Sequence, residues 1–240
     1  MSLKGGRHFD TSQLKITRGA LYLLFAEIGL SLVFHLSSAA SRIRIMDFAT
    51  ATPTQVWREG KVWTLVTSPI LQVEFVSLLF NGLLLWMLVP TIERWWGTRR
   101  LLMFALWTSL AGSIAGTLVG LATGHEVPIA GLDPFLYGII IAFGVLYARH
   151  PVQFFGVLPM TGRQLMFGII GFVTLFVLIG AEWEQGAGFA GAMLVAWLLS
   201  TGRWNPRLWL LKWRQRRARS HLSVVDGGKG GGRSGPKWVN

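Results

Sequence analysis

The stretch from Val62 to Gly97, VWTLVTSPILQVEFVSLLFNGLLLWMLVPTIERWWG, contains an apolar run over residues 70–90. A helix that crosses a bilayer needs about 20 predominantly apolar residues, because each residue adds about 1.5 Å across a core of about 30 Å. Pro69 precedes the run and Gly97 follows it, as expected at the ends of a helix. This stretch therefore predicts a membrane helix, and the same argument extends outward along the chain.

The remaining apolar runs extend this pattern to a bundle of six helices. Hydrophobic residues make up 52% of the 240-residue chain and charged residues only 14%, whereas soluble domains carry about 25% charged residues. Two of the predicted helices, 134–149 and 187–202, are short for a bilayer. We predict an all-α, polytopic membrane protein with six transmembrane helices over residues 19–37, 70–90, 101–121, 134–149, 164–181 and 187–202.

The distribution of positive charge predicts an orientation in the membrane. The net charge is +12, and ten of the 23 Lys and Arg residues lie in the segment 203–240. If this tail and the basic segment 1–18 lie inside, most cations fall on the cytoplasmic side of the membrane domain 19–202, as the positive-inside rule requires. We therefore expect both termini in the cytoplasm. We expect no nucleic-acid partner, because the cations adjoin membrane segments.

The tail after the last span combines tryptophan with arginine. Its first part is typical of an amphipathic helix on the inner leaflet, where basic residues attract anionic lipids. A plain solvated basic tail is the alternative. From Gly227 to Gly235 the chain is rich in glycine, which favours disorder. The residues that we expect at the lipid interface are Trp204, Trp209, Trp213, Arg214, Arg216 and Arg217.

Two further features concern the external side and the first span. The external connection 38–68 is longer than the others and carries Trp57 and Trp63. Loops of this length are usually functional or lie at an interface. Glu27 lies in the middle of the first apolar run, and it faces either the bundle or a partner, because a carboxyl group in contact with lipid is costly.

Residues 62–97 and 128–144, the latter reading PIAGLDPFLYGIIIAFG, share a pattern of polar and small residues. The positions that carry it are Ser77, Asn81, Glu93, Gly97, Gly131, Asp133, Pro134 and Gly138. This pattern resembles the rhomboid superfamily. The second helix of rhomboids carries H-x-x-x-N and an E-x-x-x-G turn, and their fourth helix opens with G-x-S-G. The resemblance covers residues 19–202 and implies a rhomboid-like six-helix bundle.

The resemblance also implies that the catalytic groups are missing. A rhomboid protease uses a serine at the start of the fourth helix, and a histidine on the sixth helix acts as its base. Asp133 occupies the serine position. Either Glu184 or Gln185 occupies the histidine position, since the sixth helix tolerates both registers. Ser77 replaces the oxyanion-stabilising histidine and leaves its companion Asn81. We expect a pseudoprotease that is not an enzyme.

Asp133 and Pro134 also suit a structural role. An Asp followed by Pro is typical of the cap and first turn of a helix, and Pro134 has no N–H to offer an oxyanion. An aspartyl protease would need a second carboxylate on a facing helix. The polar positions could converge near the outer end of the bundle, as a leftover hydrogen-bond network or as a wet cavity that engages a client helix. The other acids in the bundle, none of them in a recognisable motif, are Glu27, Glu74, Glu182 and Glu184.

Other kinds of chemistry have little support in the sequence. The chain contains no cysteine, so it has no disulfide and no thiolate ligand. Its five histidines lack the spacing of metal ligands, so we predict no metal and no cofactor. Gly112, Gly116 and Gly120 form a stripe of small residues that is typical of close packing between helices of one bundle.

The sequence therefore predicts a non-catalytic protein that binds the transmembrane helices of other membrane proteins. Inactive relatives such as the derlins act in client recognition, trafficking or quality control, and the resemblance implies a role in that range. A structural or accessory subunit of a larger membrane complex is the alternative, and a residual intramembrane protease is the least favoured one. We expect an integral protein of the bacterial inner membrane.

Overall fold

The computed structural model describes residues 16–149, 151–154 and 158–202. Within these residues the chain is mainly helical, and helices lie at all six predicted positions. In chain order the elements are α1 (Arg18–Leu36), α2 (Ala39–Ala49), α3 (Pro53–Trp57), α4 (Thr64–Thr67), a 3-10 turn (Ser68–Ile70), α5 (Phe75–Trp96), α6 (Thr98–Thr123), α7 (Asp133–Leu146), β1 (Pro151–Phe154), β2 (Leu158–Thr161), α8 (Gly162–Gly180) and α9 (Trp183–Ser200).

Four of these helices, α1, α5, α6 and α8, have the length and composition needed to cross a membrane. The chain is an integral membrane protein. Helix α7 has 14 residues and α9 has 18, so a count of six crossings stays a prediction, as does the side on which the termini lie. Helix α9 begins four residues earlier than predicted, which places Glu184 and Gln185 in its first turn.

The start of α5 also differs from the prediction, and one further element was not predicted. Helix α5 begins at Phe75, because Pro69 lies in the 3-10 turn and the chain is extended at Leu71 and Glu74. Between α7 and α8 lies an antiparallel β-hairpin that the sequence did not predict. In this hairpin residues 151–154 pair with residues 158–161.

Helix α7 lies at the centre of the bundle. Its sequence is apolar on every side, which is typical of a helix that is buried all round. Phe135, Ile139 and Ala142 are fully buried, and α7 packs against α5, α6, α8 and α9. Since neighbouring helices surround it, a short helix suffices here, and its first residues open onto the site described below.

Helices α6 and α9 meet along the predicted glycine stripe. A Cβ atom on Gly112 would lie 2.5 Å from the Cβ of Pro134 and 3.2 Å from the carbonyl oxygen of Gly188. On Gly116 it would lie 2.9 Å from the carbonyl oxygen of Glu184. Backbones approach this closely only where side chains are absent. The stripe therefore packs helices within this chain.

Glu93, in the last turn of α5, joins the ends of three helices. Its carboxylate accepts hydrogen bonds from the backbone N–H groups of Gly19 (2.8 Å) and Ala20 (3.0 Å) at the start of α1. The hydroxyls of Thr17 and Thr98 also donate to it, the latter at 2.6 Å. Thr17 is the N-cap of α1 and makes no capping bond there. Glu93 thus satisfies N–H groups that the first turn of α1 leaves free.

The other motif glycines hold tight positions. Gly97 and Gly131 have φ values of +79° and +94°, a region that favours glycine. A Cβ on Gly131 would lie 2.6 Å from the side-chain nitrogen of Gln72. On Gly138 it would lie 3.1 Å from a methyl carbon of Thr108. These glycines allow α7 and the segment before it to approach their neighbours closely.

The connection 38–68, which the sequence predicts to be external, is a folded layer at the end of the bundle where α5, α7 and α9 begin. We call this end the cavity end and the layer the external layer. Lys61 forms ion pairs with Asp47 (3.0 Å) and Glu59 (3.1 Å), and hydrogen bonds to these partners raise the pKa of Lys61. Trp57 donates its indole N–H to the hydroxyl of Thr117 on α6 at 3.2 Å. The layer is therefore held to the bundle beside the site.

The N-terminal segment and the C-terminal tail are the main predicted regions that lie outside the described residues. Of the segment 1–18, residues 1–15 lie there, and the tail 203–240 lies there completely. The predicted interfacial residues of the tail share that position and stay a prediction. They are Trp204, Trp209, Trp213, Arg214, Arg216 and Arg217.

Candidate functional site

A cavity of about 480 Å³ lies at the cavity end of the bundle. Its walls come from the segments before α5 and α7, the first turn of α5, the first two turns of α7 and α9, and one face of α8. Four of the five positions that the resemblance singles out line it, namely Ser77, Asp133, Glu184 and Gln185. The fifth, Asn81, is buried and hydrogen-bonded to Asp133. The fold thus brings all five positions together.

Asp133 is the first residue of α7 and not its N-cap. The N-cap is Leu132, which makes no side-chain capping bond. The carboxylate of Asp133 instead accepts a hydrogen bond from the side-chain nitrogen of Gln72 at 3.1 Å and also bonds to Asn81. The prediction of a helix cap is therefore wrong, because two partners distant in sequence bind the carboxylate. Its carboxyl group still lies in the first turn of α7, where the helix dipole favours a negative charge.

Asn81 connects Asp133 with a second buried acid, Glu27 of α1. The side-chain nitrogen of Asn81 donates to Oε1 of Glu27 at 3.1 Å. Glu27 is fully buried, and its Oε2 has no hydrogen-bond partner within the described part of the chain. Glu27 therefore faces the bundle and not an outside partner. We call Glu27, Gln72, Asn81 and Asp133 the buried polar cluster, and it links α1, α5 and α7.

Replacing Asn81 by leucine should lower the free energy of unfolding by about 3 kcal/mol, because Glu27 and Asp133 would lose their shared donor. In the double variant Glu27→Leu/Asn81→Leu one of the two buried acids is removed as well, so part of the loss should be recovered. Denaturation of the detergent-solubilised protein measures the double variant and both single variants, Asn81→Leu and Glu27→Leu. A double variant as unstable as the sum of the two single variants would show that the two side chains are not coupled.

Ser77 and Glu74 form a separate pair at the start of α5. The hydroxyl of Ser77 donates to a carboxylate oxygen of Glu74 at 2.9 Å. A serine becomes a nucleophile when a neighbouring base takes its proton, and a carboxylate is a weaker base than imidazole. Glu74 is therefore poorly suited to activating the hydroxyl of Ser77 as a nucleophile. We interpret their hydrogen bond as an ordinary contact between polar side chains at the N-terminus of α5.

Glu184 and Gln185, both in the first turn of α9, have different surroundings. Glu184 is buried, and its Oε1 accepts a hydrogen bond from the hydroxyl of Thr123 and contacts Nδ1 of His125, both at 2.8 Å. Gln185 lines the cavity. His125 belongs to the connection after α6, and the spacing of the histidines gave no reason to place it beside Glu184. Glu184 therefore ties α9 to the end of α6.

A contact between two aromatic rings shows how far along the helix axes Gln185 and Asp133 lie relative to each other. Tyr137 of α7 and Phe189 of α9 pack together with ring centroids 4.5 Å apart. Asp133 precedes Tyr137 by four residues, and Gln185 precedes Phe189 by four, so each lies about one helical turn before its ring. Because both helices begin at the cavity end, Asp133 and Gln185 lie at the same level on facing helices.

One wall of the cavity is apolar and partly exposed. It consists of Phe172, Val173 and Phe176 of α8, and the two phenylalanines are 69% and 55% exposed. Helix α8 packs against α7 and α9, whereas α5 packs against α1, α6 and α7. The side of the cavity between α5 and α8 thus presents aromatic surface next to polar groups.

The site shows no arrangement of metal ligands. Within the described residues, no group of three or more His, Asp or Glu side chains is placed to hold a metal ion. The polar groups around the cavity are instead joined in pairs and small networks by hydrogen bonds, as shown above for Asp133, Ser77 and Glu184. The arrangement is suited to hydrogen bonding and charge pairing with a bound segment.

The comparisons with known proteins agree with this fold. Residues 26–200 match a family described as "Eukaryotic integral membrane protein (DUF1751)". A curated relative, the Rhomboid protease GlpG homolog of Cronobacter sakazakii (strain ATCC BAA-894), is 31% identical over 144 residues, which cover 58% of this chain and 46% of the relative. Another, the Rhomboid protease GluP of Bacillus subtilis (strain 168), is 27% identical over 132 residues, or 55% and 22% of the two chains.

The family match covers well over half of the chain and falls inside the predicted membrane domain 19–202. The chain belongs to this family of integral membrane proteins, and it is rhomboid-like. It spans less than half the length of the two curated relatives it matches. The family description refers to eukaryotes and the two relatives are bacterial, so a bacterial inner membrane stays a prediction.

Proposed function

We propose that this protein is a non-catalytic, rhomboid-like membrane protein that binds transmembrane segments of other proteins in the cavity between α5 and α8. The observation that carries the proposal is the composition of this cavity. Acidic and amide side chains stand at the positions where the resemblance places a nucleophile and its base, and exposed aromatic side chains adjoin them. Such a site can hold a helix but offers little for cleaving one.

The absence of catalysis is supported by the cavity's own side chains. Among the lining residues that the structure describes, Ser77 is the sole serine and none is histidine. Its hydroxyl faces Glu74, and Asp133 is held by neutral amides. Peptide hydrolysis would need a nucleophile activated by a suitable base and donors for an oxyanion. The proposal therefore assigns the site to binding.

Binding of a helix is supported by the open aromatic wall. Phe172 and Phe176 present exposed apolar surface on α8, a helix long and apolar enough to cross a membrane, and polar groups lie within the same cavity. Association of helices in a bilayer relies on packing and on hydrogen bonds between helices. The proposal also includes six crossings of a bacterial inner membrane, with both termini on its cytoplasmic side. The tail 203–240 would bind anionic lipids on that side.

The first test concerns cleavage. Full-length protein in liposomes, together with single-span reporter proteins, should yield no reporter fragment on a gel. It should not react with a serine-directed fluorophosphonate, and Ser77→Ala should behave as the unaltered protein does. Fragments or labelling that disappear in Ser77→Ala would overturn the non-catalytic assignment.

The second test concerns the place of binding. Energy transfer between the labelled protein and a labelled single-span reporter should show association, and Phe176→Ala should weaken it about fivefold by removing an exposed ring from the cavity wall. Phe25→Ala is the matched control, since Phe25 is 66% exposed on α1 and does not line the cavity. Equal weakening by both variants would exclude the cavity as the binding site.

A further inference from the structure

The cavity is lined by acidic residues and by no basic ones among the described residues. Four acidic residues, Glu74, Asp133, Glu182 and Glu184, line it, and none of the described residues that line it is Lys, Arg or His. Carboxyl groups near membrane depth are costly unless they are paired or hydrogen-bonded. Whether the cavity can bind a cation therefore depends on the partners that the chain itself provides for these four groups.

Most of those partners are neutral. Asp133 is bound by the amides of Gln72 and Asn81, and Glu74 accepts a bond from the hydroxyl of Ser77. Hydroxyl and amide donors satisfy part of the hydrogen-bonding capacity of a carboxylate and leave its charge in place. Glu184 differs, since His125 lies beside it at 2.8 Å. Glu74 and Glu182, which we place at the rim of the cavity, can therefore still pair with a cation.

Two cations of the external layer, Lys61 and Arg42, have other partners. Lys61 is paired with Asp47 and Glu59. The guanidinium group of Arg42 donates to the backbone oxygens of His35 and Ser37 at 2.5 and 3.0 Å. Neither cation lines the cavity. The charge of the cavity is therefore complementary to a cation that a bound partner would bring.

We propose that the preferred partner is a transmembrane helix with one lysine or arginine near its end at the cavity end of the bundle. This inference rests on the proposed function and names the class of client. A single buried cation is costly in lipid, and pairing with the cavity acids removes much of that cost. The long side chain can reach the rim while its helix packs on α8, and the rings of Tyr137 and Phe176 can contact its charged group.

The test uses the full-length protein in liposomes and synthetic helices of about 22 Leu and Ala residues. Three helices differ at one position, about two turns from the end, which holds Lys, Leu or Glu. Energy transfer measures their affinities. The lysine helix should bind about tenfold more tightly than the leucine helix, and the glutamate helix should bind more weakly than both.

Variants of the protein separate this inference from the proposed function. The double variant Glu74→Gln/Glu182→Gln should reduce the preference for lysine over leucine to about twofold, and a preference that stays tenfold would overturn the role of these two acids. Glu59→Gln, outside the cavity, should keep the full preference. Equal binding of the lysine and leucine helices would overturn the charge preference alone. Failure of all three helices to bind would overturn helix binding as well.

Discussion

Replacing Glu93 by alanine should lower the free energy of unfolding by about 4 kcal/mol. The substitution leaves the buried N–H groups of Gly19 and Ala20 and the hydroxyls of Thr17 and Thr98 without their acceptor. An unsatisfied buried donor costs about 1–3 kcal/mol, and the negative charge that favours the start of α1 would be lost as well. Thermal or denaturant unfolding in detergent, followed by tryptophan fluorescence, measures the change.

The glutamine variant sharpens this prediction. Each carboxylate oxygen of Glu93 accepts two of the four hydrogen bonds. Glu93→Gln keeps one acceptor oxygen and sets an NH₂ group against two donors, so we expect about half of the loss seen with alanine. Glu59→Ala is the control for an exposed acid with one ion pair to Lys61, and it should cost less than about 1 kcal/mol. A loss in Glu93→Ala no larger than this control would refute the role of Glu93.

Enlarging the glycine stripe should have an effect of similar size. Gly112→Val should destabilise the bundle by about 3 kcal/mol, because a Cβ atom there meets Pro134 at 2.5 Å and the carbonyl oxygen of Gly188 at 3.2 Å. Backbone atoms cannot rotate aside as a flexible side chain can. Helices α6, α7 and α9 would have to separate, and the cavity at their ends would change shape. Unfolding in detergent and binding of a reporter helix measure the two consequences.

Helix α8 supplies the matched controls for this substitution. A Cβ atom on Gly168 or Gly171 would have no neighbour within 4 Å, so Gly168→Val and Gly171→Val should change stability by less than about 1 kcal/mol. These variants carry the same change of residue type within a membrane helix. If they destabilise the protein as much as Gly112→Val does, the cause is the valine side chain itself and not the close contact between α6 and α9.

The apolar runs and their punctuation were enough to predict where the six helices of the bundle lie, but not the short helices α2, α3 and α4 of the connection 38–68. Length and hydrophobicity identify spans locally, and the glycine stripe of α6 indicates a close contact through its spacing alone. The hairpin of β1 and β2 was not predicted, since short strands joined between two helices leave no periodic pattern. The early start of α9 was missed because Glu184 and Gln185 are polar and lie outside the apolar run.

The site was predicted in its membership and not in its contacts. The resemblance names Ser77, Asn81 and Asp133. The fold places Ser77 and Asp133 in one cavity with the first turn of α9 and buries Asn81 beside Asp133. Local propensity assigned Asp133 to a helix cap, because a single sequence does not show that Gln72 and Asn81 bind its carboxylate. The sequence also left open whether Glu27 faces the bundle or a partner, because a single sequence does not show that Asn81 donates a hydrogen bond to its carboxyl group.

Site-specific photo-crosslinking in the native membrane tests the central claim most directly. A photoreactive residue at Phe176 in the cavity wall should capture a varied set of single-span proteins, uncleaved, whereas the same residue at Phe25 on α1 should capture few of them. A single stoichiometric partner at Phe176 would instead favour an accessory subunit of one complex. Cross-links equally frequent at both positions, or captured clients that are cleaved, would contradict a non-catalytic helix-binding cavity.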